Sequence, residues 1–145
     1  MPNQENGGVD LIFHTNTESG KTDDLASDHA INIAFLDSSG QWASIAGDAN
    51  ISTDRELVKK HYSKSLKAWL GDLGDGKHDG GPDDPRIGVI QVKSKSITYA
   101  LTSKSFVARS AELAKGIVTG DTPSFMRLKE IDESELAQWR STINQ

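Results

Sequence analysis

Residues 9–15 (VDLIFHT) alternate apolar and polar side chains around β-forming residues, the period-two pattern of a half-buried strand. Small polar residues follow, Asn16-Thr17-Glu18-Ser19-Gly20-Lys21, and then a short helical stretch over 22–27. Asp23 and Asp24 stand in its first turn, where the helix dipole favours negative charge. Residues 31–36 and 42–45 read as two strands joined by the turn Asp37-Ser38-Ser39-Gly40, hence a β-hairpin. Thr53-x-x-Glu56 has the form of a capping box and predicts a helix start. The apolar positions Val58, Tyr62, Leu66 and Trp69 then recur every three or four residues, with a break expected near 63–65. Residues 87–93 and 96–101 read as two further strands with a tight turn at Ser94-Lys95. Phe106, Ser110, Leu113, Ala114 and Ile117 mark a helix ending near Gly120, and Asp132-x-x-Glu135 caps a last helix carrying Leu136, Trp139 and Ile143.

About five strands with short connections, plus several helices, predict an α+β fold or a small barrel with appended helices. At 145 residues the chain fits one domain, a barrel core over 1–101 and a C-terminal helical extension over 102–145. Glu5-Asn6-Gly7-Gly8 is a strong hairpin-turn signal, yet only the strand after it is legible, so half of a hairpin is expected to be missing. Residues 71–86 hold five glycines, two prolines and five aspartates and cannot sustain regular structure. A loop this long in a compact domain is either a functional cover or a solvated connector.

Charge and composition narrow the functions. The formal charge is -5, which argues against a broad basic face for nucleic acid or anionic lipid. Cysteine is absent, removing disulfides, thiolate metal sites and a cysteine nucleophile. No apolar stretch nears the ~20 residues of a membrane span, and the N-terminus carries no signal-like core. The expectation is a soluble, cytoplasmic protein with neither nucleic acid nor membrane as partner.

The most informative stretch is the strand, then His14-Thr15-Asn16-Thr17-Glu18-Ser19-Gly20-Lys21-Thr22, then the helix. Hydroxyls, one lysine and free backbone N–H groups at a helix start make an anion site, since the dipole and the ammonium both favour a phosphate. The plainer reading is a strand-to-helix turn whose serine and threonine cap the helix. A P-loop fits poorly: the first glycine of its pattern would fall at Thr15, and residues 20–31 leave little room for a parallel crossover. Asp72, Asp75, His78, Asp79, Asp83 and Asp84 could gather a hard cation, but they miss the spacing of a calcium loop, and no metal site is expected. The four histidines form no metalloprotease pair, and no serine nucleophile elbow is present. Catalytic residues are therefore unassigned.

The Thr15-Asn16-Thr17-x-Ser19-x-Lys21 stretch, the hairpin ending in Ala46-Gly47-Asp48-Ala49, and the Leu66-Lys67-Ala68-Trp69 helix followed by Asp83-Asp84-Pro85 resemble the pyridoxamine 5'-phosphate oxidase-like proteins. Within that family they are most similar to the general-stress-type flavin-binding split barrels, including blue-light-inducible fungal proteins. The resemblance runs over about residues 10–100 and rests on the order of the blocks. It implies an FMN-binding split β-barrel, here incomplete at its N-terminus, that forms a homodimer with flavin in clefts between subunits. FAD is the alternative nucleotide. Ser19 and Lys21 would contact the flavin phosphate, Thr15, Asn16 and Thr17 would line the ribityl chain and ring edge, and Trp69 would approach the ring. Redox chemistry would belong to the flavin, making the chain a flavin-dependent oxidoreductase. The alternative is a non-catalytic dimerisation module that has lost flavin along with its first strands.

Overall fold

The computed structural model describes residues 3–102, 106–120 and 126–143. Its elements run β1 (Asn3–Glu5), β2 (Asp10–Asn16), α1 (Gly20–Ser27), β3 (Ala30–Leu36), β4 (Trp42–Ser52), α2 (Arg55–His61), α3 (Lys64–Leu70), β5 (Ile87–Thr102), α4 (Phe106–Thr119), β6 (Met126–Ile131) and α5 (Glu133–Ile143). The strands form one antiparallel sheet in the order β1-β2-β5-β4-β3, with β6 also on β5. No ladder among the described residues is parallel, so the strand before α1 and the strand after it do not form a P-loop crossover.

Strand β5 organises the sheet. One of its edges pairs with β4 over nearly its whole length, while the other pairs with β2 through Val92 and with β6 from Ile97 onward. The turn expected at Ser94-Lys95 is instead a bulge inside this continuous strand. Gly47 lies opposite Ser94 and Ala46 opposite Ser96, which leaves Lys95 unmatched. The extra residue reverses the parity of the strand. Ile90 and Val92 pack in one core cluster, and Ile97, five residues on from Val92, packs against that same cluster together with Leu11, Leu25, Ile45 and Ala49. Without the bulge, Ile97 would point to the other face. On that other face Ile12, Ile87 and Val89 pack with Val58 of α2, with Leu57, Tyr62 and Leu70 around them.

The N-terminal hairpin is complete. Asn3–Glu5 pairs with residues 10–12 of β2 across a 3-10 turn at Asn6–Gly8, correcting the expectation that half of it is missing. The sequence hides β1 because three polar residues (NQE) show no alternation. Glu5 holds it in place, its carboxylate meeting Lys60 Nζ at 3.0 Å and His61 Nε2 at 3.4 Å. Gly7, at φ 70°, packs under α5: a Cβ there would sit 1.9 Å from Ile143 Cδ1.

Other boundaries move. The hairpin strand read as 42–45 continues to Ser52 because β5 pairs with it throughout. The cap of α2 is Asp54, whose carboxylate accepts from Leu57 N–H at 3.0 Å, and not Thr53. The expected break falls at Tyr62-Ser63, between α2 and α3. The stretch after 101 is not helix alone, since β6 extends the sheet. The side chains of Phe106 and Leu113, expected on the inward stripe of α4, lie outside the described residues. At α5 the capping box forms as read: Asp132 Oδ1 accepts from Glu135 N–H (3.0 Å) and Glu135 Oε2 from Asp132 N–H (3.1 Å).

Where β2 ends and β6 has not begun, β5 would present unpaired backbone. Side chains fill that gap. Asp10 accepts from Ser94 N–H at 3.1 Å, and Arg140 of α5 donates to both Asp10 carboxylate oxygens and to the Ser94 carbonyl. Burial pushes the Asp10 carboxyl up, but the Arg140, Asn6 and Ser94 hydrogen bonds and the Arg140 charge together outweigh it and hold the group below its usual range.

A Cβ at Gly47 would lie 2.3 Å from the Lys93 carbonyl oxygen, a backbone atom that cannot swing aside. Gly47→Ala is expected to destabilise the fold by about 1–3 kcal/mol through overpacking at the bulge, read as a lower urea midpoint with an unchanged slope.

Candidate functional site

Strand β2 delivers the polar residues in alternation. Thr15 is buried beside Gly88 of β5, and a Cβ at Gly88 would meet Thr17 Cγ2 at 2.7 Å and Thr15 Cγ2 at 3.5 Å. Glycine at that position gives room for both threonine methyls. Asn16 then closes the turn. Its Oδ1 accepts from Glu18 N–H (2.9 Å), and its carbonyl accepts from Ser19 N–H (3.1 Å), Ser19 Oγ (2.7 Å) and Thr22 Oγ1 (3.0 Å).

Ser19 is the N-cap of α1 by backbone geometry, yet its side chain makes no capping bond. Because the hydroxyl is turned to Asn16, the amides of Gly20 and Lys21 have no acceptor among the described residues. The space above Gly20 is open, with nothing within 4 Å of where a Cβ would stand. Lys21 is exposed and forms no ion pair among the described residues. Two uncommitted N–H groups at the positive end of the helix dipole thus face accessible space, with the exposed Lys21 in the same first turn, the residue types an oxyanion or phosphate cradle requires. The capping alternative accounts for Thr22 and Asn16 but not for these two amides.

Thr15, Asn16, Thr17, Ser19 and Lys21 share this one turn. Trp69 sits apart on α3 and is 70% exposed, so it does not belong to the inward stripe of Val58, Tyr62 and Leu66. What connects the two places is Arg86. Thr17 N–H donates to the Arg86 carbonyl at 2.8 Å and Thr17 Oγ1 to the same oxygen at 3.2 Å. The Arg86 guanidinium donates to the carbonyls of Leu70 (3.2 Å) and Gly71 (2.8 Å) at the end of α3, and to that of His78 (3.1 Å).

That guanidinium is buried against a carboxylate. The side chain of Arg86 is 6% exposed and that of Asp84 fully buried, at 2.7 Å. Arg86 also donates through Nε to both Asp84 oxygens, while Gly80 N–H and Arg86 N–H add backbone donors. Arg55 of α2 reaches the carbonyls of Asp84 and Ile87 from the other side. Tyr62 Oη donates to the Gly80 carbonyl at 2.8 Å. The 71–86 segment is irregular, as expected, but its second half is a packed brace rather than a cover. Its carboxylates have separate partners: Asp72 and Asp79 accept local turn amides, Asp75 takes His78 and its neighbours, and Asp83 meets Lys59 at 2.8 Å. They do not converge on a cation. Sequence reading overlooked Arg86 and Arg55; an acid and an arginine flanking Pro85 at the mouth of an apolar strand was the available signal.

This geometry and sheet define the class. Residues 2–124 match the model of a family described as pyridoxamine 5'-phosphate oxidase like, and the chain belongs to that family, with the split β-barrel fold and appended C-terminal helices. Protein bli-3 of Neurospora crassa is 58% identical over 139 residues, 95% of this chain and 66% of that protein, so the chain spans just under two thirds of that relative's length. A crystal structure assigned as general stress protein 26 from Jannaschia sp. superposes with a TM-score of 0.63 at 22% identity, over 90% of this chain and 79% of that one. The general stress FMN/FAD binding protein of Xanthomonas citri gives 0.59 at 20% identity, over 73% and 70%. None of the helices among the described residues is long and apolar enough to cross a membrane.

The Arg86 hydrogen bonds, with those from Gly80 and Arg86 N–H, hold the Asp84 carboxyl down to about 2 against the opposing effect of burial. With its folded value below the unfolded one near 3.9, the stabilisation is full above about pH 4 and is lost as the pH falls toward about 2. Asp84→Asn is expected to cost about 3–5 kcal/mol at neutral pH, because a buried guanidinium loses its counter-charge. In urea titrations at stepped pH, the gap between wild type and variant should narrow across that acid window.

Proposed function

We propose that the chain binds a flavin nucleotide, FMN with FAD as the alternative, by its phosphate at the start of α1, and serves flavin-dependent oxidation and reduction as a homodimer. The observation that carries the reading is the open helix start, where the Gly20 and Lys21 amides and the Lys21 ammonium are uncommitted. Ser19 and Lys21 hold the phosphate, Thr15, Asn16 and Thr17 border the ribityl chain and ring edge, and Trp69 covers the ring. The flavin supplies electron transfer when bound, and the protein supplies orientation, charge and exclusion of water. That the Xanthomonas citri protein is an FMN/FAD binding protein supports the flavin reading.

A second copy fits the same sheet. Phe13, Ile31, Ile33, Phe35, Ile51 and Ile97 pack on the inner core cluster yet stay partly exposed, and the edge strand β3 alternates exposed and half-buried residues along its length. Closing that face with another subunit removes apolar surface from water, worth about 25 cal/mol per Å². The alternative of a module stripped of flavin rested on an unpaired edge at β2, and β1 pairs residues 10–12 of that edge.

Titrating FMN against the purified chain should quench flavin fluorescence with saturation. Lys21→Ala is expected to weaken FMN at least about tenfold, the worth of one charged phosphate contact, with riboflavin nearly unaffected because it lacks the phosphate. Saturable FMN binding that Lys21→Ala leaves intact would place the phosphate elsewhere. Sedimentation equilibrium is expected to return a dimer; a monomer at all concentrations would remove the homodimer.

A further inference from the structure

The buried Asp84–Arg86 pair does more than close a loop. Three segments separated in sequence meet at Arg86: the β2–α1 turn through Thr17, the end of α3 through Leu70 and Gly71, and the loop itself through His78 and Asp84. We infer that Arg86 is the positioning residue of the phosphate cradle, fixing the turn that carries Ser19 and Lys21 relative to the helix that carries Trp69. This inference rests on the flavin reading of that site.

The Thr17 amide donates to the Arg86 carbonyl and its hydroxyl to the carbonyls of Arg86 and Pro85, so beyond the last β2–β5 pair at Asn16 the turn follows that peptide. The peptide is fixed by its own side chain, which folds back to grip Asp84 and three carbonyls at once. A planar fork with five donors can do this, whereas an ammonium with three donors on a flexible stem cannot satisfy a carboxylate and three divergent carbonyls together. The carbonyls of Asp84 and Ile87, on either side of the Pro85–Arg86 dipeptide, are held independently by Arg55, so the fold survives a conservative change at Arg86 while the Arg86 peptide between those two anchors loses its own grip and shifts. Arg86 itself is buried and touches no accessible part of the cradle. Its effect on a ligand must pass through Thr17.

The test is Arg86→Lys in the full chain, with thermal unfolding and near-UV circular dichroism to establish the fold, and dissociation constants for FMN and riboflavin from fluorescence quenching. A displaced cradle lowers the preference for FMN over riboflavin, which a general loosening of the protein would not do. Partners that only orient binding groups are worth roughly 10- to 100-fold, and a drop in the FMN-to-riboflavin preference of that order is expected. In the Lys21→Ala background the same change should give a smaller further drop, because one of the contacts it positions is gone while Ser19 and the two amides remain. A folded Arg86→Lys chain with the wild-type preference would overturn the inference and leave the flavin reading standing. A wild-type chain that binds neither flavin would overturn both. Should Arg86→Lys fail to fold, hydrogen exchange of the wild type decides: FMN should slow the amides of Thr17, Gly80 and Arg86 together, and protection confined to residues 20–22 would overturn the brace.

Discussion

Every backbone group of a long central strand needs a partner on each side, and this fold is organised around meeting that demand for β5. The β4 edge is continuous. The opposite edge is assembled from β2, then a side-chain patch built from Asp10 and Arg140, then β6. The C-terminal helix is therefore a component of the sheet's hydrogen bonding, even though it contributes no strand. The same demand explains why Asp10 tolerates burial: it substitutes for a missing ladder acceptor, and its charge is matched by a guanidinium that also serves the Ser94 carbonyl.

Two ion pairs among the described residues, Asp84–Arg86 buried and Asp10–Arg140 partly so, follow one design. In each, an arginine binds an aspartate and uses its remaining donors on carbonyls that no strand or helix would otherwise satisfy. Desolvating two charges is expensive, and the cost is tolerable only because the lone pairs and protons around them are so fully used. The pairs sit where irregular chain has to be pinned to regular structure, one at the gap beside β5 and one at the exit of the glycine-rich segment. The second lies directly beneath the candidate phosphate turn, so rigidity near the site comes from outside the site.

Period-two alternation was enough to find β2, β3 and the interior parts of β4 and β5, and the helix signals of α1, α2, α3 and α5 were legible within a few residues. What failed has physical causes. The parity change at Lys95 breaks alternation in the way a turn does, so one strand reads as two. A three-residue polar strand such as β1 carries no pattern. The strand β6 (MRLKEI) is half charged because its outer edge meets water. For the site, Thr15 to Lys21 stood out because hydroxyls, amide and lysine cluster locally. Arg86 reaches the neighbourhood only through tertiary contacts, and a buried guanidinium inside an acidic loop looks in sequence like a surface charge. Trp69 showed the limit in reverse: helical spacing put it inward, yet it is exposed while its neighbour Leu70 packs on the core.

The unmatched residue beside the Gly47–Ser94 pair gives this sheet an asymmetric tolerance to genetic change. Substituting Lys95, whose side chain is exposed and pairs with Asp48 at the surface, perturbs little beyond one ion pair. Deleting it would turn Ile97 and Tyr99 to the opposite face and put Ser96 and Thr98 where Ile97 now meets the Leu11, Ile45 and Val92 cluster, inverting half of the longest strand at a stroke. In a lineage of such chains, length over this stretch should be held far more tightly than residue type, so that a gap there in a related sequence would signal a differently closed barrel rather than a shortened loop.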